Sequence, residues 1–194
     1  MSSAVNPSSA LWYLGRGTGM VALLLLTLTL VLGIVTRSGR SGGTLPRFGI
    51  AELHRTASLT ATGLVLVHMG TLLIDPFSHL RVVDLFVPFL GQFKPLWQGL
   101  GTLAFDLLVL LVGSSLLRHR LGQRTFRAVH WTAYALWPVA FLHALGNGTD
   151  SATTWFRAAA LACAVAVAIA AGWRVTARFG ERGMPRVPRR AVGR

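Results

Sequence analysis

Four of the six histidines in this 194-residue chain fall into two couples. His54 and His68 are fourteen residues apart, and His130 and His143 are thirteen apart. On a helix rising about 1.5 Å per residue, either separation is roughly 20 Å. Both couples lie in or beside long apolar runs, where an ionisable ring is costly and generally has work to do. A neutral imidazole offers one nitrogen lone pair, while its other N–H bonds a nearby carbonyl or hydroxyl. Thr60, Thr71 and Thr132 stand close enough in sequence to serve as such partners. Zinc would need three or four ligands gathered at one centre, which two couples about 20 Å apart do not supply. Axial ligation of a haem iron by two facing imidazoles does match. The single cysteine, Cys163, excludes an internal disulfide, a cysteine-based zinc site and an iron–sulfur cluster held by this chain alone.

The elements that carry these histidines follow from composition. Hydrophobic residues make up 53% and charged residues 13%, with a mean hydropathy of +0.56; soluble domains average about 25% charged. Basic residues number 19 against 6 acidic, a formal charge of +13. Basicity can signal nucleic acid, but here the arginines flank apolar runs, so membrane topology explains them and no nucleic-acid partner is expected. Eighteen arginines to one lysine suggests a GC-rich bacterial genome. Five runs approach the ~20 residues a crossing needs: Leu11–Thr36, Thr56–Ile74, Leu96–Leu117, Ala128–Gly146 and Phe156–Trp173. The first is too long for a signal peptide, has no positive charge before it and no small-residue cleavage site after it. The expected fold is therefore all-α, an integral membrane bundle of five transmembrane helices.

Charge sets the expected orientation. Arg37, Arg40, Arg47 and Arg55 follow the first run, Arg118, Arg120, Arg124 and Arg127 the third, and seven arginines from Arg174 to Arg194 the fifth. These are fifteen of the nineteen basic residues, all on one side. Only Arg16, Arg81, Lys94 and Arg157 fall on the other. The positive-inside rule places the N-terminus outside and the C-terminus inside. The second and fourth runs then share a direction, so His54 and His130 share an inner level and His68 and His143 an outer one. Fourteen residues return to within about 40° of the starting face, but thirteen leave about 140°. Pro138, between His130 and His143, is expected to kink the helix and bring them into phase.

Residues 1–10 form a serine-rich loose N-terminus, 11–175 the membrane domain, and 176–194 a basic tail on the inner side. Within the connection Asp75–Pro95, residues 80–90 read as an interfacial cap. Asp106 is a candidate partner for Arg16, an anchor near a cofactor, a proton carrier, or an interhelical hydrogen-bonding group. Asp150, in the string GNGTD, is expected to shape the outer mouth. His79 and His119 lie in connections and read as solvent or headgroup residues. Trp131, Tyr134, Trp137 and Phe141 read as packing or as a relay between two macrocycles. Gly15, Gly17 and Gly19 open a membrane helix, so they read as close-packing positions rather than a phosphate loop.

The strings HRTASLTATGLVLVH and HWTAYALWPVAFLH, their histidine spacing, and LGRGTGMVALLLLTLTLVLG in the first run resemble the ferric reductase-like transmembrane domain. That family is shared with NADPH oxidases and the haem subunit of bacterial methionine-sulfoxide reductases, and the resemblance spans the five runs. It implies two non-covalent b-type haems, with His54 and His130 ligating the inner iron and His68 and His143 the outer. It also implies that Arg16 lies near the outer haem. Full-length members carry flavin and nicotinamide domains after the last helix. About 20 residues follow Trp173 here, without a dinucleotide fingerprint. The expected protein is thus the membrane haem component of an oxidoreductase in a bacterial inner membrane. Its electrons would come from a separate flavin or nicotinamide-linked protein, a partner-supplied flavin, or a quinol. Its external acceptor would be a ferric chelate, oxygen or a secreted partner enzyme. A haem b subunit of a quinol-linked complex and a haem-free scaffold or small transporter stand as alternatives.

Overall fold

The computed structural model describes residues 7–38, 46–76, 78 and 80–176. His79, most of the 1–10 segment and nearly all of the 176–194 tail fall outside the described residues. Six α-helices and one 3-10 turn, with no strand, make up the described residues. They are α1 (Pro7–Ser38), α2 (Arg47–Ile74), α3 (Pro95–Leu116), α4 (Arg118–His130), α5 (Ala133–Asn147) and α6 (Thr154–Arg174), with the 3-10 turn at Val82–Leu85. Four are long and apolar enough to cross a bilayer: Ala10–Ser38 of α1, and α2, α3 and α6.

The run at 128–146 departs from a single span. It breaks at Trp131–Thr132, leaving α5 with 15 residues, about 22 Å against a hydrocarbon layer of about 30 Å. The cause is a change of environment. Helix α4 carries Arg118, Arg120, Arg124 and Arg127, contains no buried residue and no acid in its first turn, and is interrupted by Gly122 at φ 71°. Helix α5 is apolar and buries Leu136 and Trp137. At the junction the Thr132 N–H bonds the Val129 carbonyl and the Tyr134 N–H the Trp131 carbonyl, a tightened 3-10 pattern. Each such residue advances the chain about 120° rather than about 100°. This break adds to the rotation between His130 and His143, and Pro138 lies further on, inside α5.

Helices α1, α2, α3, α5 and α6 alternate in direction. Carbonyls near the start and middle of α1 meet histidines near the end and start of α2, and the start of α3 meets the end of α5. Arg16 of α1 pairs with Asp150 just before α6, and Arg174 at the end of α6 stacks over Trp131. One end of the bundle is thus marked by His68 and His143, the other by His54 and His130.

Close packing is uneven. Helix α2 lies along α1, where Ala57 and Ala61 are buried and Gly15 and Ala22 face inward; small residues let two helix backbones approach. Helix α3 lies along α5 through Ala104, Leu108, Leu111 and Leu136. Helix α2 does not pack closely on α3 or α5. A cleft of about 290 Å³ runs between α2 and α3, lined by Thr62, Leu66, Phe105, Leu108 and Gly113 among others.

The expected cap over 80–90 sits on α3. Asp84 is 2% exposed. Its carboxylate accepts from the Arg81 guanidinium at 2.8 Å and from the Arg81 backbone N–H at 3.0 Å. The Thr102 hydroxyl of α3 donates to the Asp84 carbonyl at 2.6 Å. The Arg81 hydrogen bond holds the Asp84 carboxyl below the usual carboxylate range. Phe89 adopts a left-handed φ of 67°, and Gly99 of α3 lacks the Cβ that would strike its backbone and ring.

Candidate functional site

The site is built from facing imidazoles. The His54 and His130 ring centroids are 6.4 Å apart with planes at 71°. The His68 and His143 centroids are also 6.4 Å apart, with planes at 78°. Two histidines of α2 therefore each meet one partner from the α4–α5 stretch. His54 and His68 sit two heptads apart, with Ala61 midway, so they share one face of α2 within about 20° per heptad.

Three imidazoles are anchored from behind. The Nδ1 of His54 lies 2.9 Å from the Thr29 carbonyl, that of His68 2.6 Å from the Gly15 carbonyl, and that of His143 2.7 Å from the Trp97 carbonyl. A carbonyl can only accept, so each Nδ1 carries the proton and each Nε2 keeps its lone pair. The acceptors lie inside helices, where each carbonyl already faces the N–H four residues on. That fourth residue is glycine every time: Gly33, Gly19 and Gly101. A Cβ would come within 3.2 Å of the His54 ring at Gly33, 2.9 Å of the His68 ring at Gly19, and 2.6 Å of the His143 ring at Gly101. The missing side chain opens the carbonyl to a donor from the neighbouring helix. His130 differs, since its buried Nδ1 has no hydrogen-bond partner among the described residues.

The threonines proposed for this role do something else. The Thr71 hydroxyl bonds the His68 carbonyl within α2, the Thr132 hydroxyl bonds the Val129 carbonyl across the break between α4 and α5, and Thr60 is exposed. A hydroxyl on a helix reaches its own preceding turn first, whereas a longer imidazole spans to the next helix. The glycine seats did leave a trace in the sequence. Gly19 and Gly33 are fourteen residues apart, the separation of His54 and His68 read in the opposite direction. Among the three early glycines, Gly15 approaches Thr71 and Gly19 approaches His68, while Gly17 faces open space.

Arg16 is engaged with Asp150, not Asp106. Its Nε donates to Asp150 Oδ2 at 2.9 Å, its Nη2 contacts Oδ1, and its guanidinium lies 3.9 Å over the Trp12 ring. Asp106 is partly buried on α3 and has no hydrogen-bond or ion-pair partner among the described residues. His119 is exposed on α4.

The aromatics of the fourth run divide. Trp137 is buried, donates its Nε1–H to the Thr27 hydroxyl at 2.8 Å, and stacks on Phe141. It lies midway in sequence between His130 and His143. Trp131 is 55% exposed and sits with Tyr134 against Arg174 at the His54–His130 end.

A family model described as ferric reductase like transmembrane component matches residues 18–141, more than half of the chain. Comparison with curated proteins and with solved structures gave no match. The match runs from the first long helix to two residues before His143 and takes in both couples but for that last ligand candidate. With its four long apolar helices, this all-α, multi-pass membrane chain belongs to the ferric reductase like transmembrane component family.

Proposed function

We propose that the chain carries electrons across the membrane through two haem b groups, one held by His54 and His130 and the other by His68 and His143. The observation that carries this reading is the geometry of the couples. An imidazole nitrogen sits about 2.0–2.1 Å from a first-row metal ion, with its ring centroid about 1.1 Å further back, so two axial imidazoles place their centroids about 6.3 Å apart. Both couples are at 6.4 Å. The Nδ1 anchors fit the same purpose, since they fix the tautomer that leaves Nε2 as donor. The apolar cleft between α2 and α3 suits the edge of a macrocycle.

Bound haem supplies a reversible one-electron couple at each level. The protein's own residues orient the imidazoles, exclude water with an apolar lining, and fill the space between levels with Trp137, fixed by Thr27. The two histidine levels are about 20 Å apart along α2. The arginine-rich His54–His130 end is the cytoplasmic one, with the N-terminus outside and the C-terminus inside. On this reading α5 makes the fifth crossing and the chain resides in a bacterial inner membrane. Arg16 is a structural tie at the outer mouth. A separate flavin or nicotinamide-linked protein, or a quinol, delivers electrons inside, and a ferric chelate, oxygen or a partner enzyme receives them outside.

The test is a dithionite-reduced minus oxidised spectrum of purified protein with a haem-to-protein ratio. A b-type spectrum at two haems per chain is expected, falling to one in His54→Ala and in His68→Ala. Protein that stays colourless after haem-replete expression would overturn the reading in favour of a haem-free scaffold or transporter.

A further inference from the structure

The four imidazoles are not held alike. His54, His68 and His143 each rest on a helix carbonyl with a glycine four residues on. The chain carries a glycine where a fourth seat belongs. Gly113 lies twelve residues after Gly101 on α3, much as His130 lies thirteen before His143 on the antiparallel stretch. Yet a Cβ on Gly113 would meet nothing within 4 Å, and this glycine lines the α2–α3 cleft. The His130 Nδ1 stays buried without a partner among the described residues. Phe126, one turn earlier, stacks on its ring at 5.2 Å, which restrains the ring's tilt but supplies no acceptor.

The backbone support is also weaker. His130 is the last residue of α4, a helix with no buried residue and a non-helical glycine inside it. An outer hydrogen bond on a ligating imidazole fixes its orientation and raises its basicity. His130 has neither benefit, while His54 across from it has both.

We infer that His130 is the exchangeable ligand of the inner couple, and that a small neutral π-acceptor such as carbon monoxide takes its position on ferrous iron. This rests on the haem reading above. In the exchange the bond from His130 Nε2 to iron breaks and the nitrogen keeps its lone pair. The carbon lone pair of the diatomic forms the new bond. Iron stays ferrous, and no electron or proton moves. His68 and His143, anchored on both sides, hold the outer position closed.

Carbon monoxide added to dithionite-reduced, two-haem protein tests this by absorbance. One of the two haems should shift its Soret band and lose its sharp reduced α band. In His68→Ala/His143→Ala, one haem should remain and all of it should shift. In His54→Ala/His130→Ala, the remaining haem should not respond. Two-haem protein in which neither haem or both haems react would overturn the inference, as would reaction confined to the haem left in His54→Ala/His130→Ala. Protein holding no haem would instead overturn the electron-transfer reading itself.

Discussion

Replacing Gly101 by alanine should loosen the outer haem, by an amount the contact geometry sets. The new Cβ would lie 2.6 Å from His143 Cε1 and 2.7 Å from its Nδ1, whereas ordinary contact begins at 3.4 Å. The ring must retreat by about 0.8 Å, several times the ~0.2 Å within which metal–ligand distances are held. The same retreat stretches the Nδ1–H bond to Trp97 from 2.7 Å to about 3.5 Å, beyond the 2.7–3.2 Å range of such bonds. Loss of an outer-shell partner typically costs about 10–100-fold in affinity, or about 1.4–2.8 kcal/mol at 1.4 kcal/mol per tenfold. The series is graded. Gly19→Ala meets His68 at 2.9 Å and should have a smaller effect on the same haem. Gly33→Ala meets His54 at 3.2 Å, a misfit of about 0.2 Å that lies within tolerance. Gly63→Ala meets nothing within 4 Å and should be neutral, or stabilising by up to about 1 kcal/mol through helix propensity. Haem titrated into apoprotein, followed by Soret absorbance, gives the affinity of each site. Equal losses across the four variants, or no loss in Gly101→Ala, would refute the reasoning.

Three further outcomes follow from the same structure. Arg16 and Asp150 have side chains 25% and 19% exposed, between the surface and buried regimes. Asp150→Asn or Arg16→Gln should therefore each cost about 1–2 kcal/mol in detergent thermal unfolding, and the double variant should cost clearly less than their sum. Asp84 has a lowered pKa, caused first by its hydrogen bond from Arg81. The stability this adds is present above the unfolded carboxylate value of about 3.9 and is lost as pH falls through the lower folded value. Limited proteolysis at residues 80–90 should therefore rise only below about pH 4, and Asp84→Asn should abolish that pH step by making the segment cleavable at neutral pH. Trp137→Phe removes the Nε1–H bond to Thr27 while keeping most of the packing. It should lower stability by about 1 kcal/mol, measured by the same unfolding assay, and leave haem stoichiometry unchanged.

The all-α character and the long apolar helices were legible in the chain, because hydropathy is a property of local windows. So was the matching of His54 with His130 and His68 with His143, because rise per residue converts sequence separation directly into level. The start of α2 at Arg47 was not legible, since Arg47, Glu52, His54 and Arg55 interrupt the apolar Phe48, Ile50 and Leu53 before Thr56. Nor was the break at Trp131–Thr132, which arises where an arginine-rich helix meets an apolar one. The partners were hidden most fully. Thr60, Thr71 and Thr132 looked like natural companions for the imidazoles, and Asp106 for Arg16. Backbone carbonyls of Thr29, Gly15 and Trp97, and the carboxylate of Asp150, took those places. A sequence states which groups can bond and how far apart they lie along one helix. Which carbonyl a ring reaches depends on how two helices are rotated against each other, and that is decided only when their small residues meet and the backbones close to contact.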